Sequence, residues 1–257
     1  MALSNPEISV LVTHHLNQND AYLDACLKSL MRTENVPIEI ICVSDAQRPP
    51  AVPRDPRIQL IWDGKHVGVG DKWKCALALA DPRAPYFASI SDDVMVSRWT
   101  LGGMSWVLKH SGIGNSLVGP RSNCDQTTRY LADSGYPVKC TLEELDKGKY
   151  NGRSREDVIE WSSKELILLP QEWVGFYCVM MPKTVIAQVG ELDSKLEVRH
   201  NDVDYCFRAR KLGIPSLIHL GTFCLHFGDR TIPTVSGPER YAAADQAMKE
   251  KYACSSR

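Results

Sequence analysis

The stretch Tyr86-Phe87-Ala88-Ser89-Ile90-Ser91-Asp92-Asp93-Val94 constrains the chain more than any other, because an apolar run bounded by Pro85 ends abruptly in two adjacent carboxylates. Five or six residues of aromatic and β-branched type are too few for a helix and suit a buried strand. In open α/β sheets ligands bind in the crevice outside the carboxyl ends of the strands, which would put Asp92 and Asp93 where a ligand sits. Neighbouring carboxylates repel unless a cation or hydrogen-bond donors neutralise them, and a hard divalent ion sharing phosphate oxygens would do so. The alternative is a strand-ending turn with solvated acids, since Asp is common at turns.

The chain before this stretch repeats its pattern. Ile8 to Thr13 is a β-branched run that stops at the polar segment from His14 to Asp20. Tyr22, Cys26, Leu27 and Leu30 then recur at helical spacing, with Asn19 or Asp20 as N-cap. A second apolar strand, Ile38 to Asp45, again ends in an acid, and strand, helix, strand implies a parallel pair with a right-handed crossover. Pro49, Pro50, Pro53 and Pro56 make a loop before a short strand at Ile58 to Trp62. Gly64, Gly68 and Gly70 lead into a helix from Asp71 to Ala80 that carries Lys72 and Lys74 in its first turn. Helix N-termini prefer acids, so these lysines either face an anion such as phosphate or are simply solvated.

After the two acids, Trp99 to His110 reads as a helix and Ser116 to Pro120 as a strand. Residues 121–170 form an excursion of mixed charge, with a helix at Leu142 to Leu145 and a strand at Leu166 to Leu169. Its bases Lys147, Lys149, Arg153 and Arg155 are balanced by acids, which describes a solvated face. Trp173 to Met181 reads as a strand, and Pro182-Lys183-Thr184 opens a helix ending near Gly190. The polar knot from Arg199 to Asp204 precedes a helix carrying Val203, Cys206, Phe207 and Leu212 that stops at Gly213, with Asn201 or Asp202 as its N-cap. A final strand, Ser216 to Leu220 with Thr222 to Leu225, delivers His226 to a loop, where a lone histidine would merely be exposed.

With 257 residues, 44% of them hydrophobic, the chain can fill the core of one large α/β domain. Thirty basic against thirty-one acidic residues leave a net charge of −1, so no global field recruits nucleic acid or an anionic membrane. The sequence shows no leader and no apolar run near 18 residues, which gives the expectation of a cytoplasmic protein without a membrane span. Nine cysteines, an odd number, never closer than sixteen residues, fit neither a disulfide framework nor a zinc knuckle; they are expected to be reduced and mostly buried.

Taken in order, these residues resemble the inverting GT-A-fold glycosyltransferases of family 2 over nearly the whole chain. The first strand with Thr13 to Asn17 is similar to the family's opening strand and Pro-x-Tyr-Asn loop, keeping Asn17 and departing at Thr13-His14-His15. Asp45 matches the acid that contacts the nucleotide base in relatives. Ser91-Asp92-Asp93 resembles the metal motif, with the first acid beside the ribose and the second on the ion. Gly119-Pro120-Arg121-Ser122-Asn123 is similar to a Gly-Pro-x-Ser-Asn segment of one subgroup. Gly175 and Gly190-Glu191-Leu192-Asp193 resemble the stretch before the acceptor-site acid. Asn201 to Arg208 resembles Glu-Asp-x-Asp-Leu-Cys-x-Arg, with Asn201 replacing the Glu, and His226 resembles the late histidine ligand.

The resemblance implies an α/β GT-A (nucleotide-diphospho-sugar transferase) fold with a mostly parallel, Rossmann-like central sheet flanked by helices in a single domain. Residues 1–120 would be its nucleotide-sugar-binding half, and 121–257 its acceptor-side half, the excursion included. Thr13, His14, Asn17, Asp45, Lys72 and Asp92 would bind the nucleotide sugar, Asp93 and His226 would hold Mn²⁺ or Mg²⁺, and Asp202 would be the catalytic base. The chemistry is coherent. A departing diphosphate needs its growing charge offset, which a divalent ion held by carboxylate, imidazole and phosphate oxygens supplies, the histidine favouring Mn²⁺. The acceptor hydroxyl, on a glycan, lipid-linked sugar, protein or modified nucleic-acid base, needs a base in reach. In-line attack would invert the anomeric centre. Two other readings stand beside it: a metal-dependent hydrolase, which would need a denser acid cluster, and a non-catalytic nucleotide-sugar or glycan binder, suggested by Asn201.

Overall fold

The computed structural model describes residues 5–15, 20–65, 68–123, 139–196, 199–228 and 238–252. Among them nine strands form one sheet: β1 (Ile8–His14), β2 (Ile38–Ser44), β3 (Ile58–Trp62), β4 (Tyr86–Ser91), β5 (Val94–Val96), β6 (Leu117–Ser122), β7 (Leu168–Gln171), β8 (Cys178–Pro182) and β9 (Ser216–His226). Their order is β3-β2-β1-β4-β8-β6-β9-β5, with β7 also paired to β9. β3, β2, β1 and β4 are all parallel, so their carboxyl ends share one edge. Beyond β4 the sheet is mixed. β8 runs antiparallel to β4 and to β6, β6 is parallel to β9, and β5 and β7 are antiparallel to β9.

Eight α-helices accompany the sheet among the described residues: α1 (Asp20–Met31), α2 (Val69–Leu79), α3 (Thr100–His110), α4 (Leu142–Asp146), α5 (Arg155–Ile159), α6 (Lys183–Val189), α7 (Asn201–Lys211) and α8 (Pro238–Tyr252). The strand period of two explains why both faces are covered. Val10 and Val12 of β1 pack with Leu23, Leu27 and Leu30 of α1 and Leu101 and Met104 of α3. Leu11 between them belongs to the other layer, with Trp73 and Ala76 of α2 and Tyr205 and Ala209 of α7. A strand apolar on both faces is the mark of a parallel sheet with helices on each side. Each leucine of α1 buried here stabilises the fold by about 1.5–3 kcal/mol, so a charge at Leu27 would detach the helix.

Several sequence expectations are corrected. β1 runs through His14, which is buried rather than part of a loop. β8 begins only at Cys178, because Phe176 and Tyr177 form a turn, and β7 lies two residues later than expected. β5, α5 and α8 had no sequence reading. Helix α7 starts at Asn201 with His200 at the N-cap in the left-handed region (φ 66°), so neither Asn201 nor Asp202 caps it. Asn17 lies outside the described residues. The seven described cysteines are free and six of them are buried. In the excursion Lys147, Lys149 and Arg155 pair with Glu143, Glu144 and Asp146, as a solvated face requires. No helix among the described residues is long and apolar enough to cross a membrane.

Candidate active site

Because the first four strands are parallel, their registers bring Thr13, His14, Ser44 and Ser91 to one edge, with Asp45 and Asp92 immediately beyond. Asp92 and Asp93 form the two-residue turn between β4 and β5. All three carboxylates are buried, with Asp45 at 0%, Asp92 at 1% and Asp93 at 4% exposure. A buried charge must be met by a partner.

Each has one, and each partner comes from a different element. The His14 Nδ1–H donates to Asp92 Oδ2 at 2.6 Å, while the Asp92 backbone N–H donates to the Thr13 carbonyl at 3.3 Å. Lys72, fully buried in the first turn of α2, places its Nζ 3.2 Å from Asp45 Oδ1 and donates to the His14 carbonyl at 2.7 Å and to His15 Nδ1 at 2.8 Å. Burial would raise the Asp45 carboxyl, but the His15 ring and the Lys72 charge outweigh it and hold the group well below the usual carboxylate range. For Lys72 burial wins over the attraction of Asp45, and its ammonium is lowered from the ordinary lysine value. The anion that these helix N-terminal bases face is therefore the protein's own: Asp45 for Lys72, and Glu191, 2.9 Å away, for the exposed Lys74.

Asp93 meets His226 across the end of the sheet, Oδ1 to Nε2, at 3.4 Å. The β5–β9 ladder pairs Val94 with His226, and the Phe227 N–H donates to the Asp93 carbonyl at 3.0 Å. Burial would raise the Asp93 carboxyl; the charge and hydrogen bond of His226 bring it below its ordinary value. Two groups holding one octahedral ion at about 2.1 Å and a right angle would be roughly 3 Å apart, so this pair fits as two of an ion's ligands. Among the described residues no group of three or more His, Cys, Asp or Glu is arranged to hold a metal.

Asn123, Tyr177 and His15 were not singled out from the sequence. Asn123 accepts from the His226 N–H at 2.7 Å and donates to its carbonyl at 2.9 Å, a two-point clamp that fixes the backbone of His226. Tyr177 stacks on the His226 ring, centroids 4.5 Å apart at 21°. Asn123 had one available signal, its place in the Gly119-to-Asn123 segment. Tyr177 had none, because the turn that presents it reads as strand.

Asp202 stands apart from this cluster. It lies half-buried in the first turn of α7, where its Oδ1 accepts from the Val203 N–H at 2.8 Å. The helix is tied to the sheet edge through aromatic rings: Trp73, the residue after Lys72, contacts Tyr205 of α7 at 5.7 Å and stacks on Phe176 at 5.5 Å. Asp204, buried, is bound by Arg208 Nε at 2.9 Å, Lys251 Nζ at 2.8 Å and Tyr252 Oη at 2.6 Å, which fastens α8 to α7.

No protein-family model and no curated protein matches the chain. Among solved structures it is similar to a crystal structure of GalNAc-T7 with UDP, GalNAc and Mn²⁺, with a TM-score of 0.59 at 9% identity over 86% of this chain. The chain spans 44% of that protein's length. The arrangement of a helix-flanked α/β sheet with acids at its carboxyl edge is thus the GT-A fold.

Proposed function

We propose that the chain is a nucleotide-sugar-dependent glycosyltransferase of the inverting, family 2 type, moving a sugar from a nucleoside diphosphate to an acceptor hydroxyl. The observation that carries this is the buried set Asp45, Asp92 and Asp93, from two different strand ends, each already oriented by its own partner at the carboxyl edge where open α/β sheets bind ligands. The UDP, GalNAc and Mn²⁺ of GalNAc-T7 support a donor of this class on this fold.

In this reading residues 1–120 form the donor half, and Thr13, His14, Asn17, Asp45 and Asp92 contact the nucleoside diphosphate, with the buried Lys72 acting through Asp45 rather than on the phosphates. Asp45, kept ionised by Lys72 and His15, accepts hydrogen bonds from the base, and Asp92, oriented by His14, accepts from the ribose. Asp93 and His226 hold Mn²⁺ or Mg²⁺, which when bound offsets charge on the departing diphosphate. Residues 121–257 form the acceptor half, where Asp202, whose Oδ1 is positioned by the Val203 N–H, takes the proton of the attacking hydroxyl. The acceptor is a hydroxyl of a glycan, lipid-linked sugar, protein or modified nucleic-acid base.

The test is thermal unfolding of the full chain with UDP-sugars, with and without Mn²⁺. A nucleotide at about 100 times its dissociation constant adds about 2.7 kcal/mol, and Asp93→Ala should abolish the part that depends on Mn²⁺. If no nucleotide sugar shifts the transition, or Asp93→Ala retains the full shift, the reading fails. A shift without turnover on any acceptor would turn it to a non-catalytic binder.

A further inference from the structure

A cavity lies between α3, the middle of β9 and residues 163–166, lined by none of Asp45, Asp92 and Asp93. It encloses about 400 Å³ and is lined by the indoles Trp99 and Trp106, by Gly102, Gly103 and Gly221, and by a polar margin that includes Glu34, Asn35, Lys164 and His219. Its walls meet where only glycine fits. A Cβ on Gly103 would lie 2.6 Å from Thr222 Cγ2, and one on Gly221 would lie 2.0 Å from the Glu165 carbonyl.

The informative residue is His219. It is 5% exposed, it lines the cavity, and neither ring nitrogen has a hydrogen-bond partner of ordinary geometry. Buried polar atoms are nearly always satisfied, so an imidazole left without a partner beside a cavity calls for a group that enters it. Burial lowers its pKa, with the Glu165 carbonyl acting the other way, so the neutral ring can both donate and accept. Trp106 is 45% exposed and stacks on His110 with ring centroids 5.1 Å apart, which holds the indole in place at the cavity margin.

The lining is not built for an anion. Glu34 is paired with Arg98 at 2.7 Å and Glu165 with Arg121, so both carboxylates and both guanidiniums are already engaged and Lys164 is the one lysine or arginine among the lining residues. A phosphate or carboxylate would find a single lysine there and no free guanidinium fork. What fits is a neutral ring with apolar faces and hydrogen-bonding groups around its edge, apolar faces to the indoles and edge groups to His219, Asn35 and the carboxylates. We propose that this cavity binds a pyranose ring, as a carbohydrate site separate from the Asp45–Asp92–Asp93 edge. The proposal does not depend on the glycosyltransferase reading, because a neutral sugar is recognised here without nucleotide or metal.

The experiment uses the full chain without nucleotide or divalent ion. Methyl glycosides of glucose, galactose and mannose, with lactose and maltose, are titrated and followed by saturation-transfer NMR and by tryptophan fluorescence. At least one should receive saturation at its ring protons. Trp106→Ala, at an exposed position, should weaken that binding roughly fivefold. His219→Leu should weaken it roughly tenfold while the melting temperature holds or rises, because the change removes unsatisfied buried polar atoms. Absence of transfer to every sugar at tens of millimolar, or binding unmoved by both substitutions, overturns the proposal. So does transfer to indole or adenine but to no sugar, which would mark the cavity as a site for planar rings. Binding that Trp106→Ala weakens sustains it even if His219→Leu does not fold.

Discussion

Asp45 and Asp204 are both fully buried carboxylates answered by a lysine, yet they belong to regions of different kind. Asp45 ends β2 at the edge where four parallel strands open, and its lysine is itself completely buried beside two histidines. Asp204 lies inside the first turns of α7, and its partners are Arg208 on the same helix and Lys251 and Tyr252 on α8, both bases reaching partly to solvent. Burial with a counter-charge therefore does not by itself mark a functional carboxylate. At Asp204 it joins two helices; at Asp45 the whole ion pair is sequestered at the carboxyl edge of the parallel strands, the edge where open α/β sheets bind ligands.

The sharpest way to break this comparison is at Asp202, two residues before Asp204 and half-buried where Asp204 is buried. Asp202→Asn keeps the size of the side chain and removes its ability to take a proton, so transfer should fall roughly 10²–10⁴-fold while the melting temperature stays put. Near-normal transfer rates in a product assay would remove Asp202 from the chemistry. Next comes Lys72→Met, which leaves Asp45 buried without its cation and should cost about 3–5 kcal/mol in denaturant unfolding. Adding Asp45→Leu should recover most of that, and if the double variant is no more stable the two residues are not a pair. Asp204→Asn should cost about 1.5–3 kcal/mol through lost charged hydrogen bonds to Arg208 and Lys251, with kcat unchanged for the molecules that remain folded. A selective loss of kcat would show that α8 acts on the site.

The smallest effect is in pH dependence. Because the folded-state pKa of Asp45 is depressed below its unfolded value near 4, its contribution to stability is fully present above that value. It should be lost as pH falls toward the folded-state pKa. The stability difference between wild type and Asp45→Asn should be flat from about pH 5 to 7 and shrink below about pH 4. A difference that grows on acidification would contradict the Lys72–Asp45 assignment.

The parallel half of the sheet was legible because its units are local. An apolar strand followed by a helix of period 3.6 declares itself within thirty residues, and β1, α1, β2, β3, α2 and β4 fall close to where the sequence places them. β5 was not legible. Three residues, Val94 to Val96, become a strand only by lying against β9, which the chain reaches far later. His14 was misread for a related reason: a histidine after a β-branched run looks like loop until Asp92 is seen to receive its N–H. The acids at the open edge could be named from the sequence, since strand ends and turn chemistry are local. Which base answers which acid could not, because Lys72 and Asp45 meet only after two strand-helix units are laid side by side.

The Asn123 clamp and the β5–β9 ladder also set when the Asp93–His226 pair can form. Asp93 and its Asp92 neighbour leave the ribosome with the first half of the sheet, but the residue that faces Asp93 across the ladder lies more than a hundred positions downstream. At ordinary synthesis rates of about 5–20 residues per second, that is a delay on the order of ten seconds in which the two carboxylates stand without it. Asn123 is made early in that interval and waits for the same histidine. The nascent chain thus carries Asp93 without its partner through about half of its own synthesis, and the arrival of β9 both closes the sheet and completes the Asp93–His226 pair.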